Sequence, residues 1–200
     1  PVCLIAMLVS WLHSHGHPTF EIASPGLSSG TALGLVLLVP VAAAVGVGAR
    51  RLWSWMLAHR VRVPRWLPAA IGAAGLVTGL ASLWVPPIIG NGRDAMEMAV
   101  GTGLSGASNS PVGAGLVLLV GIVVLKPVLT GLTLAAGATG GRLAPSLAAG
   151  SSAGAALAIA LDACGVQASV AVLALAGAGA VLATTQRAPV FGIVFTWELA

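Results

Sequence analysis

Apolar residues in this chain fall into long runs without charge: Thr31 to Gly48, Leu67 to Gly90, Pro111 to Leu125, Leu143 to Leu161 and Val166 to Thr185. Most of them approach the ~20 residues with which a helix crosses the hydrocarbon core of a bilayer. The short alternating segments of a membrane barrel are absent, so the pattern predicts an all-α, polytopic integral membrane protein. Residues 2–12 read as the end of one helix, which HSHGHPTFEIASPG then breaks. The next helix starts near Ser28 to Thr31, where small polar residues can cap it, and runs through LGLVLLVPVAAAVGVGARRLWSWMLAHR. LPAAIGAAGLVTGLASLW forms another, ended by Pro86 and Pro87. The segment IIGNGRDAMEMAVGTG is then a polar re-entry, outside the membrane or partway in. VGAGLVLLVGIVVLKPVLTGLTLAAG, the run to Leu161, the turn DACG, the helix VQASVAVLALAGAGAVLATT and a fresh start at RAPVFGIVFTWELA complete the order. Short segments interrupted by Gly and Pro, with a few stranded charges, are the pattern of transporters with broken helices.

Composition sharpens this picture. The chain is 58% hydrophobic and only 7% charged, with a mean hydropathy of +1.01, whereas a soluble domain carries roughly 25% charged residues. Five of its nine basic residues, Arg50, Arg51, Arg60, Arg62 and Arg65, lie between two apolar runs. By the positive-inside rule residues 49–65 are cytoplasmic, and residues 13–30 and about 91–110 lie outside. The net charge of +4 is thereby accounted for without nucleic acid as a partner. Trp53, Trp55 and Trp66 suit an interfacial belt. Cys3 and Cys164 have no C-x-x-C neighbour and read as small packing residues, and His13, His15 and His17 as part of an exterior loop, so no metal site is expected. The chain starts without Met inside one apolar run and stops just after another, which reads as a piece of a longer protein.

One stretch carries candidate chemistry. In GGRLAPSLAAGSSAG, Gly140 and Gly141 allow close approach and unusual φ, and Pro145 is tolerated in a helix's first turn because its N–H would be unpaired anyway. A helix that begins inside the bilayer presents free N–H groups and about half a positive charge, enough to hold a dehydrated anion without trapping it. The N–H groups of Gly141, Arg142 and Leu143 are the candidate ligands, supported by Gly140 and Pro145. The same pattern also fits a Gly-Gly hinge between packed helices with no ion. The Arg142 side chain either attracts anions from an aqueous vestibule or serves structure, pairing with an acid or reaching solvent. Lys126, beside Pro127, reads as a packing or vestibule charge, and Glu198 as a buried structural hydrogen bond. Gly150, Gly154 and the run AGAGA at Ala176 to Ala180 permit close helix contacts. No Ser with a matched His or Lys, and no paired Asp, suggests an enzyme.

In chain order, three stretches resemble the CLC family of chloride channels and chloride/proton antiporters. GATGGRLAPSLAAGSSAG is similar to that family's G-G-x-F-x-P-x-L-x-x-G element, with Gly141, Ala144, Pro145, Leu147 and Gly150 in register. LKPVLTGLTLAAGATGG resembles the helix entering it, where a Lys or Arg often stands at the position of Lys126. QRAPVFGIVFTWELA resembles R-A-P-x-x-x-I-x-x-x-x-E-[ML], through Arg187, Ala188, Pro189, Ile193, Glu198 and Leu199. The resemblance implies that residues 1–200 are a membrane domain of tilted and broken helices, the C-terminal half of the family's inverted-repeat fold, roughly from helix I to helix Q. It leaves the upstream half, with the gating glutamate and coupling acids, and the last helix outside this chain. It also implies chloride as the transported ligand, no cofactor, a homodimer in a lipid bilayer, and function as a channel or antiporter in the cell membrane. Leu143 stands where the family commonly has Phe, and Arg142 where it usually has an apolar residue. A non-transporting scaffold, or a transporter of another anion such as fluoride, is the alternative.

Overall fold

A computed structural model describes residues 28–90, 92–104 and 112–199 of the chain. These residues form α1 (Ser29–Ala58), a 3-10 turn (Pro64–Trp66), α2 (Leu67–Ser82), a second such turn (Pro86–Ile88), α3 (Arg93–Leu104), α4 (Val112–Ala135), α5 (Leu143–Ala163), α6 (Val170–Gln186) and α7 (Pro189–Leu199). No strand occurs among the described residues. Local chemistry sets several boundaries. The Ser28 hydroxyl accepts the Thr31 N–H at 3.1 Å and caps α1, satisfying one of the donors that a helix start leaves free. Arg187 closes α6 in the left-handed region at φ 55, and Pro189 opens α7 where a missing N–H costs nothing.

At the centre stands α5, buried continuously from Pro145 to Ala156. Helices α1, α3, α4 and α6 all lie against it. Its closest neighbour is α6. A Cβ added at Gly150 would strike the Gly177 carbonyl, and one added at Gly154 would strike the Leu173 carbonyl. Backbones meet here because lipid tails offer no hydrophobic drive for helix association, so close contact between small residues has to supply it. The AGAGA run is therefore spent inside the chain. Gly177 faces Gly150, and a Cβ on Gly179 would meet the Thr196 hydroxyl of α7.

Among the described residues three helices are long and apolar enough to cross a membrane: Ser29–Ala58, Gly115–Ala135 and Leu143–Ala163, with Val170–Gln186 a shorter apolar one. Val36, Val39, Leu83, Trp84 and Val117 point outward and exposed, a surface that calls for lipid or protein around it.

Several expectations change in the folded chain. The polar re-entry after Pro87 is helical over most of its length. Residues 93–104 form α3, with Ala95, Ala99 and Val100 buried in the core, because the alanines and Val100 give this polar-looking stretch one apolar side. Trp53 is no interfacial anchor. It is 1% exposed, and its Nε1 donates to the Pro127 carbonyl of α4 at 2.8 Å. Trp55 and Trp66 are exposed, as a belt requires. Cys164 is exposed rather than packed, since it follows α5 at its C-terminal cap. Cys3 and the three histidines lie outside the described residues, and so does the side chain of Glu198.

The two ends of the bundle can be told apart by hydrogen bonds. At one end the Val61 N–H donates to the Ala135 carbonyl at 2.8 Å and Arg60 Nη2 to the Gly137 carbonyl at 2.9 Å. This ties the arginine-rich connector to the segment between α4 and α5. At the other end the Ser169 N–H donates to Thr31 Oγ1 at 3.0 Å, so the starts of α1 and α6 lie together. With 1.5 Å of rise per residue, the 21 residues of α5 span roughly 30 Å between these ends.

Candidate anion site at the start of a buried helix

Gly140, Gly141 and Arg142 are exposed, Leu143 and Ala144 are half-buried, and from Pro145 to Ala156 α5 is buried without a break. Arg142 is the N-cap residue, with φ −101 and ψ −3, and no side chain caps the helix. The N–H groups of Gly141, Arg142, Leu143 and Ala144 donate to no acceptor among the described residues. Pro145 has none to donate. Most long helices in proteins satisfy part of this set with a Ser, Thr or Asp cap. Here the donors are left for something that is not a protein side chain of the described set. The dipole of the 21-residue helix adds its positive end at the same point.

The wall beside the site is built by α3. Gly92 has φ +91, and a Cβ there would lie 2.9 Å from the Ala148 Cβ and 3.1 Å from the Ala144 carbonyl oxygen. Both the backbone conformation and the close approach require glycine. The loop that delivers Gly92 is held by Lys126, 4% exposed on α4, whose Nζ donates to the Ile88 carbonyl at 2.7 Å and the Gly90 carbonyl at 2.9 Å. Irregular backbone inside a membrane protein must find its donors within the protein, and Lys126 supplies them. Lys126 is thus a tie between α4 and the Ile88–Gly90 loop, in line with its reading as a packing charge.

The Arg142 side chain is exposed and makes no ion pair among the described residues. Pairing with an acid is therefore not its arrangement there. Arg60 and Arg62 line an open recess of about 430 Å³ with Leu57, Val61 and Leu67, and Arg60 reaches Gly137, five residues before Arg142. Arg60 is thereby fixed to the segment that leads into the helix start.

Deeper in, Ser146 Oγ donates to the Arg142 carbonyl at 2.6 Å, and Thr185 Oγ1 of α6 lies 2.9 Å from Ser146 Oγ. Neither bond was read from the sequence, although an i, i+4 spacing such as that of Arg142 and Ser146 is the signal for a back-bond. The meeting of Ser146 with Thr185 has no such signal, since 39 residues separate them.

A family model described as voltage gated chloride channel matches residues 2–200. The chain is 35% identical over 143 residues to the H(+)/Cl(-) exchange transporter ClcA of Cronobacter sakazakii, covering 70% of this chain and 28% of that protein. It is 34% identical over 143 residues to the protein of the same name in Citrobacter koseri, with the same coverage. The protein of that name in Klebsiella pneumoniae is 33% identical over 150 residues, again across 70% of this chain and 28% of the relative. The chain spans a little over a quarter of the length of the curated relatives it matches.

Proposed function

We propose, from the premise that this chain belongs to the voltage-gated chloride channel family, that it forms part of a chloride pathway through a membrane and holds the anion at the start of α5. The observation that carries this reading is the row of undonated N–H groups from Gly141 to Leu143 at the mouth of a helix that is buried without a break from Pro145 to Ala156. Partial charges of this kind attract chloride yet release it, which a buried formal charge would not. Gly140 gives the loop room and Pro145 leaves the first turn without a competing donor. The relatives are named H(+)/Cl(-) exchange transporters, which favours proton-coupled exchange over passive conduction as the mode. A homodimer is the assembly that the resemblance implies.

Replacing the amide at Leu143 by an ester in the intact protein deletes one donor and leaves the side chain in place. The expected loss in chloride affinity is about 1–3 kcal/mol, the range for a hydrogen bond to a charged group, or roughly 5- to 150-fold. Leu143→Ala and Arg142→Ala should bind nearly as the parent does in calorimetric titration. Loss of binding in Arg142→Ala with a harmless ester would mean that a formal charge holds the anion.

The protein is placed in the cell membrane with several spans, and residues 49–65 are placed on its cytoplasmic face. Because Arg60 binds Gly137, the mouth of the α5 site would then open to the cytoplasm, and Cys164, exposed at the far end of α5, would face outside. In a Cys3→Ser background an impermeant maleimide should label Cys164 on intact cells. A cysteine at Arg62, in Cys3→Ser/Cys164→Ser, should react only after permeabilisation. Labelling of both from one side would overturn the topology.

A further inference from the structure

A single peptide unit connects the buried hydroxyls of α5 and α6 to the anion donor. The Arg142 carbonyl and the Leu143 N–H belong to the same planar trans peptide, so whatever orients the carbonyl orients the N–H in the opposite direction. That carbonyl receives two hydrogen bonds from inside the helix, one from the Ser146 N–H at 3.2 Å and a shorter one from Ser146 Oγ at 2.6 Å. Ser146 is fully buried and Thr185 8% exposed, so neither hydroxyl has free water as a ready competitor.

The direction of the chain of bonds follows from counting hydrogens. A serine hydroxyl has one proton, and Ser146 spends it on the Arg142 carbonyl. Thr185 Oγ1, 2.9 Å away, must then be the donor of the pair. The Leu182 carbonyl at 3.1 Å is a second acceptor for the same proton. If Thr185 turned to it completely, two oxygen lone pairs would face each other at 2.9 Å, so the proton serves Ser146 at least in part. A lone serine bonding back one helical turn is common and says little. A second hydroxyl donated from the neighbouring helix is a different matter, because it points every dipole the same way, from Thr185 through Ser146 and the peptide to the Leu143 N–H.

We propose that Thr185 and Ser146 are positioning residues for the anion. They lock the Arg142–Leu143 peptide with its N–H outward and polarise it into a stronger donor. The proposal rests on the reading that the Leu143 N–H is a ligand. Hydrogen bonds in series strengthen one another by about 10–30% each, which for a bond to an anion corresponds to an effect of about 1.3- to 4-fold on chloride affinity.

The test is chloride titration by calorimetry on the intact protein in detergent, with the unfolding temperature of each variant measured alongside. Thr185→Val should weaken chloride binding about threefold, with Thr185→Ala standing in if valine is not accommodated. Ser146→Ala should weaken it at least as much. The double variant should be no worse than Ser146→Ala alone, because both act through one chain of bonds. Thr185→Ser, which keeps the donor, should restore the parental affinity. Parental affinity in Thr185→Val and Ser146→Ala, with only the unfolding temperature lowered, would reduce the pair to a structural contact and overturn the proposal. So would two independent, multiplying effects. The ester at Leu143 separates the two levels: an ester that costs affinity beside hydroxyl variants that do not sinks the relay alone, whereas a harmless ester sinks the anion site and the relay with it.

Discussion

Gly154→Ala is expected to cost about 3 kcal/mol or more of stability in detergent, the upper end of what overpacking does. A methyl group at this position would sit on the Leu173 carbonyl oxygen and 2.9 Å from the Ala174 nitrogen. Both obstacles are backbone, so no side chain can rotate away, and α5 and α6 have to separate. That separation would spread, because Gly150 meets Gly177 one turn earlier along the same seam. Gly75→Ala in α2 is the control. Nothing lies within 4 Å of its added Cβ, and helix propensity predicts a gain of up to about 1 kcal/mol. Denaturation of the two variants in detergent should move their midpoints in opposite directions. Equal behaviour would mean that the α5–α6 seam does not hold the bundle together.

Lys126→Met is expected to lower stability by about 2–4 kcal/mol, since it removes the donor from two carbonyls at once and leaves acceptors without partners. Methionine fills the volume of the lysine stem, so the loss reports the ammonium and not a cavity. Two opposing effects have to be weighed. Burying an ammonium is itself costly, and the Ile88 and Gly90 carbonyls at 2.7 and 2.9 Å offset part of that cost in the folded chain. Removing the cation alone strands those oxygens. The loop they belong to leads directly to Gly92 and hence to the wall against Ala144 and Ala148, so chloride transport should fall together with stability. Lys126→Arg keeps a cation and donors and should retain most of both. A Lys126→Met protein as stable as its parent would show that the loop is held by apolar packing alone.

The helices were largely legible because a bilayer imposes its demand locally. Roughly 20 apolar residues without charge are needed wherever a helix crosses, and the runs beginning at Thr31, Leu143 and Val166 answer it within their own length. Ser28 at the head of α1 and the GGRLAP start of α5 were legible for the same reason, since a helix end is decided by a handful of adjacent residues, whereas α6 starts at Val170 behind a Ser169 cap and not at Val166 as its apolar run suggested. α3 was harder to place. Its Arg93, Asp94 and Glu97 make it look like a surface loop, while the face carrying Ala95, Ala99 and Val100 is buried, and only its neighbours show which face counts.

By itself, then, the sequence determined an all-α membrane chain, the order of its helices and a helix start between Gly140 and Pro145. The tertiary structure alone decided that Trp53 takes the Pro127 carbonyl, that Gly177 and Gly179 face helices of the same chain, that Arg60 reaches Gly137 and that Thr185 meets Ser146. Crossing a bilayer and starting a helix are properties of neighbouring residues. A partner is a property of two segments brought together by folding, and for small residues and hydroxyls, whose side chains suit many surroundings equally well, nothing in the adjacent sequence distinguishes one partner from another.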